Sequence, residues 1–433
     1  MEEVEEVVIS KLVHGGQGLG ELADGRKVFV WGALPGERVR VRLTKQKRSY
    51  AEGVAEEVVT ASPERIEPAE ANYLATSPWQ IMSFAAENRA KSDIVRELFT
   101  QAGTVIPTEA EWSGRVSTVG SDFHYRNKME YSFWGDEDGL HLALHQRGSH
   151  GKQIVAGSAL ALPVVDAAAH AVLDELRRLG VRAGELKTLI VRCDQKGSAA
   201  ASLFVKPSKF PRLKLPSQVK PPLSEDSPLK GLRVYHSNPK SPASVPTKLL
   251  YELGDCELSD ELLGRTFHYD VDSFFQVNLP VYERALESIR TRCQGDPVDM
   301  YAGVGSIGLS VAAKQEVTLV ELDPATAAMA RVNAAQPGLK VEVVEASTEK
   351  ALEYISGSRP VIFDPPRAGL HAKVIERCLE VLPPQVIYLS CNPATQARDL
   401  ALLQQKYQLT HVEIYNFFPR TPHIETLAVL HPH

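Results

Sequence analysis

Two residues near the end of this chain could do covalent chemistry together. Cys391 stands in Leu389-Ser390-Cys391-Asn392-Pro393, directly after the apolar run Val386 to Leu389. That pattern reads as a strand turning into a helix. A thiolate there lies near the positive end of the following helix, which predicts a depressed pKa and nucleophilic character. Glu425 stands in Phe417-Phe418-Pro419-Arg420-Thr421-Pro422-His423-Ile424-Glu425 and opens the last strand-like run. Its carboxylate is a candidate proton acceptor, and His423 is the competing base. Taken singly, each residue also has an ordinary reading: a small buried hydrophobe for Cys391 and a surface strand residue for Glu425.

Two further segments look built to hold a ligand. Asp299-Met300-Tyr301-Ala302-Gly303-Val304-Gly305-Ser306-Ile307-Gly308 closes a strand-like run and opens a helix. Its glycines let backbone approach a ligand closely. Glu321 ends the next strand about twenty residues on, where a carboxylate can take the two hydroxyls of a ribose. Glycine spacing alone leaves NAD and S-adenosylmethionine both open. The second segment, Phe363-Asp364-Pro365-Pro366-Arg367, follows a later strand. Proline fixes φ and removes donors, so the acid sits on a rigid shelf. A dehydrogenase has no use for such an element, whereas methyltransferases acting on planar bases do, which favours S-adenosylmethionine.

A thiol and a carboxylate in one site suit methylation of a pyrimidine at C5. That carbon of uracil is too weak a nucleophile by itself. Addition of a thiolate at C6 makes it an enolate carbon. The C5 proton must then leave so that the thiolate can be expelled, and this requires a base.

The elements that position these residues come from alternating βα units beginning near residue 272. Strand-like runs at 298–301, 317–321, 341–344, 361–363 and 386–389 are separated by helical stretches. This predicts a mostly parallel doubly wound sheet, with ligands at the carboxyl ends of its strands. Strands at 412–415 and 425–430 follow without the same helical spacing. Residues 1–60 carry short alternating runs among glycine turns and read as a small OB-like β-barrel. In one run Arg38, Arg40 and Arg42 alternate with Val39, Val41 and Leu43, which puts the arginines on one face. They form either a solvated face or a phosphate-tracking surface. Residues 61–85 read as a linker and 86–271 as an α+β central domain. That domain contains a helix near 83–101, a hairpin at 128–134 and 140–146, a helix at 164–179, and strands at 188–193 and 199–206. Residues 207–248 read as a long loop or loose hairpin.

The 433 residues are 43% hydrophobic and 24% charged, which is ordinary for a globular protein and excludes a mostly disordered chain. No apolar run is long enough to cross a bilayer, and the acidic start MEEVEEVVIS lacks the form of a signal peptide, so a cytoplasmic location is expected. The net charge of -6 hides two basic stretches, Arg38 to Arg48 and Lys206 to Lys220. The five cysteines, Cys193, Cys256, Cys293, Cys378 and Cys391, are widely spaced and suggest neither disulfides nor a zinc site.

In these motifs the chain resembles the RNA uridine-C5 methyltransferases, which make 5-methyluridine in tRNA and large-subunit ribosomal RNA. The likeness runs through Tyr125-Arg126-Asn127-Lys128, Phe274-Phe275-Gln276-Val277-Asn278 and the stretches at 299–308, 363–367, 390–393 and 419–425. It implies a Rossmann-like methyltransferase domain over 272–433, preceded by a TRAM barrel and a central RNA-binding domain. It also implies that Gln276, Tyr301, Ser306, Glu321 and Asp364 bind S-adenosylmethionine, that Cys391 is the nucleophile, and that Glu425 rather than His423 is the base. Arg38, Arg40, Arg42, Tyr125, Arg126, Lys128, Phe274 and Arg367 are the candidate RNA contacts, with Tyr125, Phe274, Phe417 and Phe418 the candidate stacking aromatics. The expected partner is structured RNA, either tRNA or 23S rRNA, bound by a monomer. Many members hold a [4Fe-4S] cluster on four cysteines, three in the linker and one after the central hairpin. Here the linker reads Pro68-Ala69-Glu70-Ala71-Asn72-Tyr73-Leu74-Ala75-Thr76-Ser77-Pro78-Trp79-Gln80, and no cysteine precedes Cys193. No cluster and no metal are therefore expected. Two rival functions fit parts of the pattern: a non-catalytic RNA-binding protein, and the same chemistry on DNA cytosine.

Overall fold

The computed structural model describes residues 4–106, 114–148, 151–215, 229–241, 244–312, 316–336 and 338–433. The chain divides into two compact units. The first comprises Met1–Glu87, Ser121–Leu258 and Pro419–Pro422, and the second comprises Asn88–Gly120, Ser259–Phe418 and His423–His433.

The first unit opens with the expected barrel. Strands β1 (Val4–Leu12), β2 (Gly18–Glu21), β3 (Lys27–Trp31), β4 (Arg38–Gln46) and β5 (Tyr50–Thr60) close in the order β1-β2-β3-β5-β4. Alternation decides the core: Val7, Ile9, Val28, Val30, Val39 and Val41 point inward and are fully buried. Gly53 faces Val41 so closely that a Cβ there would lie 2.4 Å from its side chain.

The linker is organised around one carboxylate. Glu70 accepts from Thr76 Oγ1 at 3.1 Å, Gln80 Nε2 at 3.0 Å and the Ala159 amide at 2.8 Å. Trp79 is buried and donates its indole N–H to the Gly16 carbonyl at 3.0 Å. A seven-stranded sheet follows, in the order Lys248–Gly254, Leu229–His236, Ala199–Val205, Leu186–Cys193, Lys128–Asp136, Gly139–His145, Lys152–Ile154. The helix Pro163–Arg178 covers one face with Val165, Ala168, Ala169, Val172, Leu173 and Leu176, which share a single stripe at helical spacing. The stretch expected to be a loop or loose hairpin holds a core strand instead. Leu229–His236 pairs parallel with Ala199–Val205, and its apolar residues Leu229, Leu232 and Val234 are buried. Residues 216–228 of that stretch, including Lys220, lie outside the described residues.

The second unit carries the doubly wound sheet. Its strands are β6 (Val298–Asp299), β7 (Glu316–Glu321), β8 (Lys340–Glu345), β9 (Val361–Phe363), β10 (Val386–Ser390), β11 (Tyr407–Tyr415) and β12 (Glu425–Pro432). Their order is β8-β7-β6-β9-β10-β12-β11, with the short strand Val116–Ser117 beyond β11. Strands β6 to β10 run parallel, and β12 inserts antiparallel between β10 and β11. Helices α1 (Leu279–Arg292), α2 (Ser306–Val311), α3 (Pro324–Ala334), α4 (Ala372–Val381) and α5 (Pro393–Leu403) connect and flank the strands. Among the described residues no helix is long and apolar enough to cross a membrane.

Candidate active site

The carboxyl ends of β6, β7, β9 and β10 open onto one cavity of about 550 Å³, a size ordinary for a small-ligand site. The glycine turn after β6 forms its floor. Gly303 and Gly305 have φ of 56° and 88°, a region that side chains disfavour. Gly308 packs so tightly that a Cβ would lie 2.5 Å from Leu319, and its amide donates to Asp299 at 2.9 Å. Glu321 is fixed by two backbone amides, Gly303 on Oε2 at 2.9 Å and Asp323 on Oε1 at 2.8 Å. Each of its oxygens keeps a lone pair for a diol. Asp323 in turn caps α3 through the Thr326 amide at 2.8 Å.

The opposite wall is made by Asp364, Pro365, Pro366, Arg367, Cys391 and Glu425. Their loops are tied together. Asn392, the N-cap of α5, accepts from the Ala394 amide at 3.2 Å and donates Nδ2 to the Arg367 carbonyl at 2.8 Å. Asp399 accepts from the Leu370 amide at 2.8 Å and from the Tyr388 hydroxyl at 2.9 Å. The register explains how Glu425 reaches this wall. In the antiparallel pair β10–β12, Ser390 lies opposite Thr426. One more step of that register sets Cys391 opposite Glu425, and directly opposed Cβ atoms sit about 4.5–5.5 Å apart. His423 is half-buried with its ring edge-on to Phe418 at 5.5 Å, and it is absent from the cavity lining.

The electrostatics correct one expectation. The Cys391 thiol is pushed up to about 12, not down, by burial first and then by Glu425 and Asp364. Arg367 is the cation that opposes this shift. Burial also raises Asp364 to about 7 and lifts Glu425 well above the usual carboxylate range. Desolvation and the two neighbouring carboxylates act against the thiolate at this position.

Comparison with known proteins agrees in both halves of the chain. Residues 2–55 match the TRAM domain and residues 247–432 match the family described as tRNA (Uracil-5-)-methyltransferase. A protein of Thermosynechococcus vestitus named as an RNA methyltransferase is 30% identical over 98% of this chain and 97% of its own. The chain belongs to the tRNA (uracil-5-)-methyltransferase family. A second RNA methyltransferase, from Thermotoga maritima, is 28% identical over 99% of each chain. Among solved structures, the tRNA (uracil-54, C5)-methyltransferase of Pyrococcus abyssi shares the fold. Its TM-score is 0.74 at 21% identity, and the match covers 99% of this chain and 100% of that one. That structure contains S-adenosyl-L-homocysteine.

As a member of this family the chain is an S-adenosylmethionine-dependent RNA methyltransferase. The cavity suits the cofactor: a glycine turn, a preoriented carboxylate on Glu321, and the lining residues Gln276, Tyr301, Ser306 and Asp364. The methyltransferase also has cavity residues that the sequence reading missed. Tyr282 of α1 lines the cavity and shares a 2.6 Å hydrogen bond with Ser306 Oγ. Its place four residues after Asn278 in the helix was the available signal. Asn278 itself donates Nδ2 to the Phe417 carbonyl at 3.1 Å, bracing the chain that leads to β12.

Of the stacking candidates, Phe274 is 70% exposed and lines the cavity mouth. Phe417 and Tyr125 are core, and Phe418 is half-buried. Phe417 is fully buried with its ring edge-on to Tyr282 at 5.9 Å, and Phe418 sits beside it at 6.5 Å. Tyr125 is buried and donates to the Pro419 carbonyl at 3.0 Å, so its aromatic face is not available to RNA. Arg126 and Lys128 are half-buried. The barrel arginines do share one face, but each is neutralised: Arg38 by Glu6 at 3.0 Å, Arg40 by Glu57 at 2.7 Å and Arg42 by Glu56 at 2.7 Å.

Proposed function

We propose that this methyltransferase methylates C5 of a uridine in structured RNA, tRNA or large-subunit ribosomal RNA, through a covalent bond between Cys391 Sγ and C6 of the base. Gln276, Tyr301, Ser306, Glu321 and Asp364 hold S-adenosylmethionine, with Glu321 on the ribose hydroxyls. When bound, the cofactor would supply an electrophilic methyl group and leave as the neutral thioether. Phe274 stacks on the flipped base at the cavity mouth. Cys391 releases its thiol proton to solvent, the thiolate adds to C6, and the C5=C6 electron pair moves onto O4 as an enolate, leaving C5 nucleophilic. After C5 is methylated, Glu425 takes the C5 proton. The electrons left behind restore the double bond and expel the thiolate. Arg367 offsets the carboxylates and favours the thiolate.

The observation that carries this reading is the β10–β12 register, which ends at Ser390–Thr426 and, continued by one residue, brings Cys391 opposite Glu425. It also favours Glu425 over His423. The test uses RNA containing 5-fluorouridine, whose C5 substituent cannot leave as a proton does. Wild-type protein with S-adenosylmethionine is expected to form an adduct that survives a denaturing gel, and Cys391→Ala is expected to form none. Appearance of 5-methyluridine in normal RNA treated with Cys391→Ala would overturn the covalent route.

A further inference from the structure

The barrel's charges are nearly all paired within the barrel. Arg26 pairs with Asp24 at 2.6 Å, Lys27 with Glu21 at 2.6 Å and Lys45 with Glu52 at 2.5 Å, in addition to the three arginines of β4. Two cations stand apart. Lys47 and Arg48, at the turn between β4 and β5, are exposed, and among the described residues neither has a carboxylate partner. No acid occurs between Glu37 and Glu52, so the turn carries uncompensated positive charge.

The turn is also held in shape. The Lys47 amide donates to the Tyr50 carbonyl at 2.8 Å. Arg26 donates to the Lys47 carbonyl at 3.1 Å and to Gln46 Oε1 at 3.2 Å. Tyr50 is occupied: its ring meets Phe29 edge-on at 5.9 Å and carries the Lys45 ammonium at 5.5 Å. The tip therefore offers fixed charge without a free aromatic face. Such a surface recognises phosphates, not bases.

We infer that the barrel touches the phosphodiester backbone of its RNA through Lys47 and Arg48 at the β4–β5 turn, and not through the arginine ladder of β4. This rests on the reading that the substrate is RNA. The reason is counterion release. An unpaired cation neutralises a phosphate and lowers the slope of log K against log salt by about 0.7–0.9 per contact. An arginine already paired to a glutamate presents a dipole to the RNA and must break that pair before it can contribute.

The experiment measures binding of the full chain to bulk tRNA across roughly 50 to 200 mM salt, the range in which phosphate contacts dominate. The variant K47Q/R48Q is expected to flatten the slope by about 1.4–1.8. The charge-neutral variant R38Q/E6Q/R40Q/E57Q/R42Q/E56Q is expected to leave it unchanged. Circular dichroism checks that both variants fold. A flattened slope in the second variant with no change in the first would assign the contact to the ladder and overturn the inference. Unchanged slopes in both, with a salt-dependent wild type, would remove the barrel from the phosphates and overturn it as well. A wild type that binds neither bulk tRNA nor large-subunit ribosomal RNA would overturn both this inference and the substrate reading beneath it.

Discussion

The arginine ladder of β4 and the carboxyl edge of the catalytic sheet look alike in one dimension and differ in three. Arg38, Arg40 and Arg42 alternate along one strand, and Glu321, Asp364 and Cys391 each stand at the end of a strand. At the sheet edge, residues from five separate strand ends converge on one cavity, and desolvation there raises the pKa values of Asp364, Cys391 and Glu425 together. On the barrel, Arg38, Arg40 and Arg42 share a face as spacing predicts, but β1 and β5 set Glu6, Glu57 and Glu56 against them. Spacing within one strand tells which face a side chain takes. What opposes it is decided by the neighbouring strands. Exposed pairs of this kind contribute little to stability.

The largest effect expected from breaking this contrast is at Cys391. Cys391→Ala should reduce methyl transfer by about four orders of magnitude or more, as loss of a covalent nucleophile does. Calorimetric S-adenosylmethionine binding should stay close to wild type, and normal turnover would end the argument for convergence. Glu425→Gln should lower kcat by about 10²–10⁴ and accumulate a protein–RNA adduct on denaturing gels, whereas His423→Gln should stay within a few-fold. Equal losses in the two variants would return the base to His423. Glu321→Ala should raise the KM for S-adenosylmethionine about ten- to hundredfold, equivalent to roughly 1.4–2.8 kcal/mol, with RNA affinity unaltered.

A smaller effect comes from pH. Asp364 is raised from 3.8 to about 7, so the folded state holds its proton more tightly than the unfolded state. The stabilisation from the neutral form is complete below about pH 4 and is lost as pH rises through 7. Asp364→Asn should therefore increase the melting temperature by a few degrees at pH 8 and scarcely at all at pH 4. Thermal scans at the two pH values measure this, and an equal shift at both would contradict the burial argument. The smallest effect belongs to the ladder: R40Q/E57Q should leave both the denaturant midpoint and methyl transfer unchanged.

Much of the catalytic half was legible because its signals are local. Period-two strands, glycine turns and the Asp-Pro-Pro shelf each fix their own backbone, and strand ends share an edge by topology. Glu425 was legible as a candidate, but its register with Cys391 was not, because β12 pairs antiparallel across a long connection. Tyr282 escaped notice because a tyrosine on an amphipathic helix usually packs in a core. The strand Leu229–His236 was obscured by the proline- and lysine-rich chain on both sides. The raised thiol pKa was invisible because desolvation depends on neighbours that the sequence scatters over 60 residues, from Asp364 and Arg367 to Glu425.

The opposition of Cys391 and Glu425 depends on strand parity more than on loop shape. The connection between β11 and β12 can change length without moving the pair, provided the ladder from Ser390–Thr426 to Val386–Leu430 stays in step. A single residue inserted within that ladder would turn the carboxylate to the far side of the sheet while leaving every motif readable in the sequence. An apparently intact relative could be inactive for that reason alone.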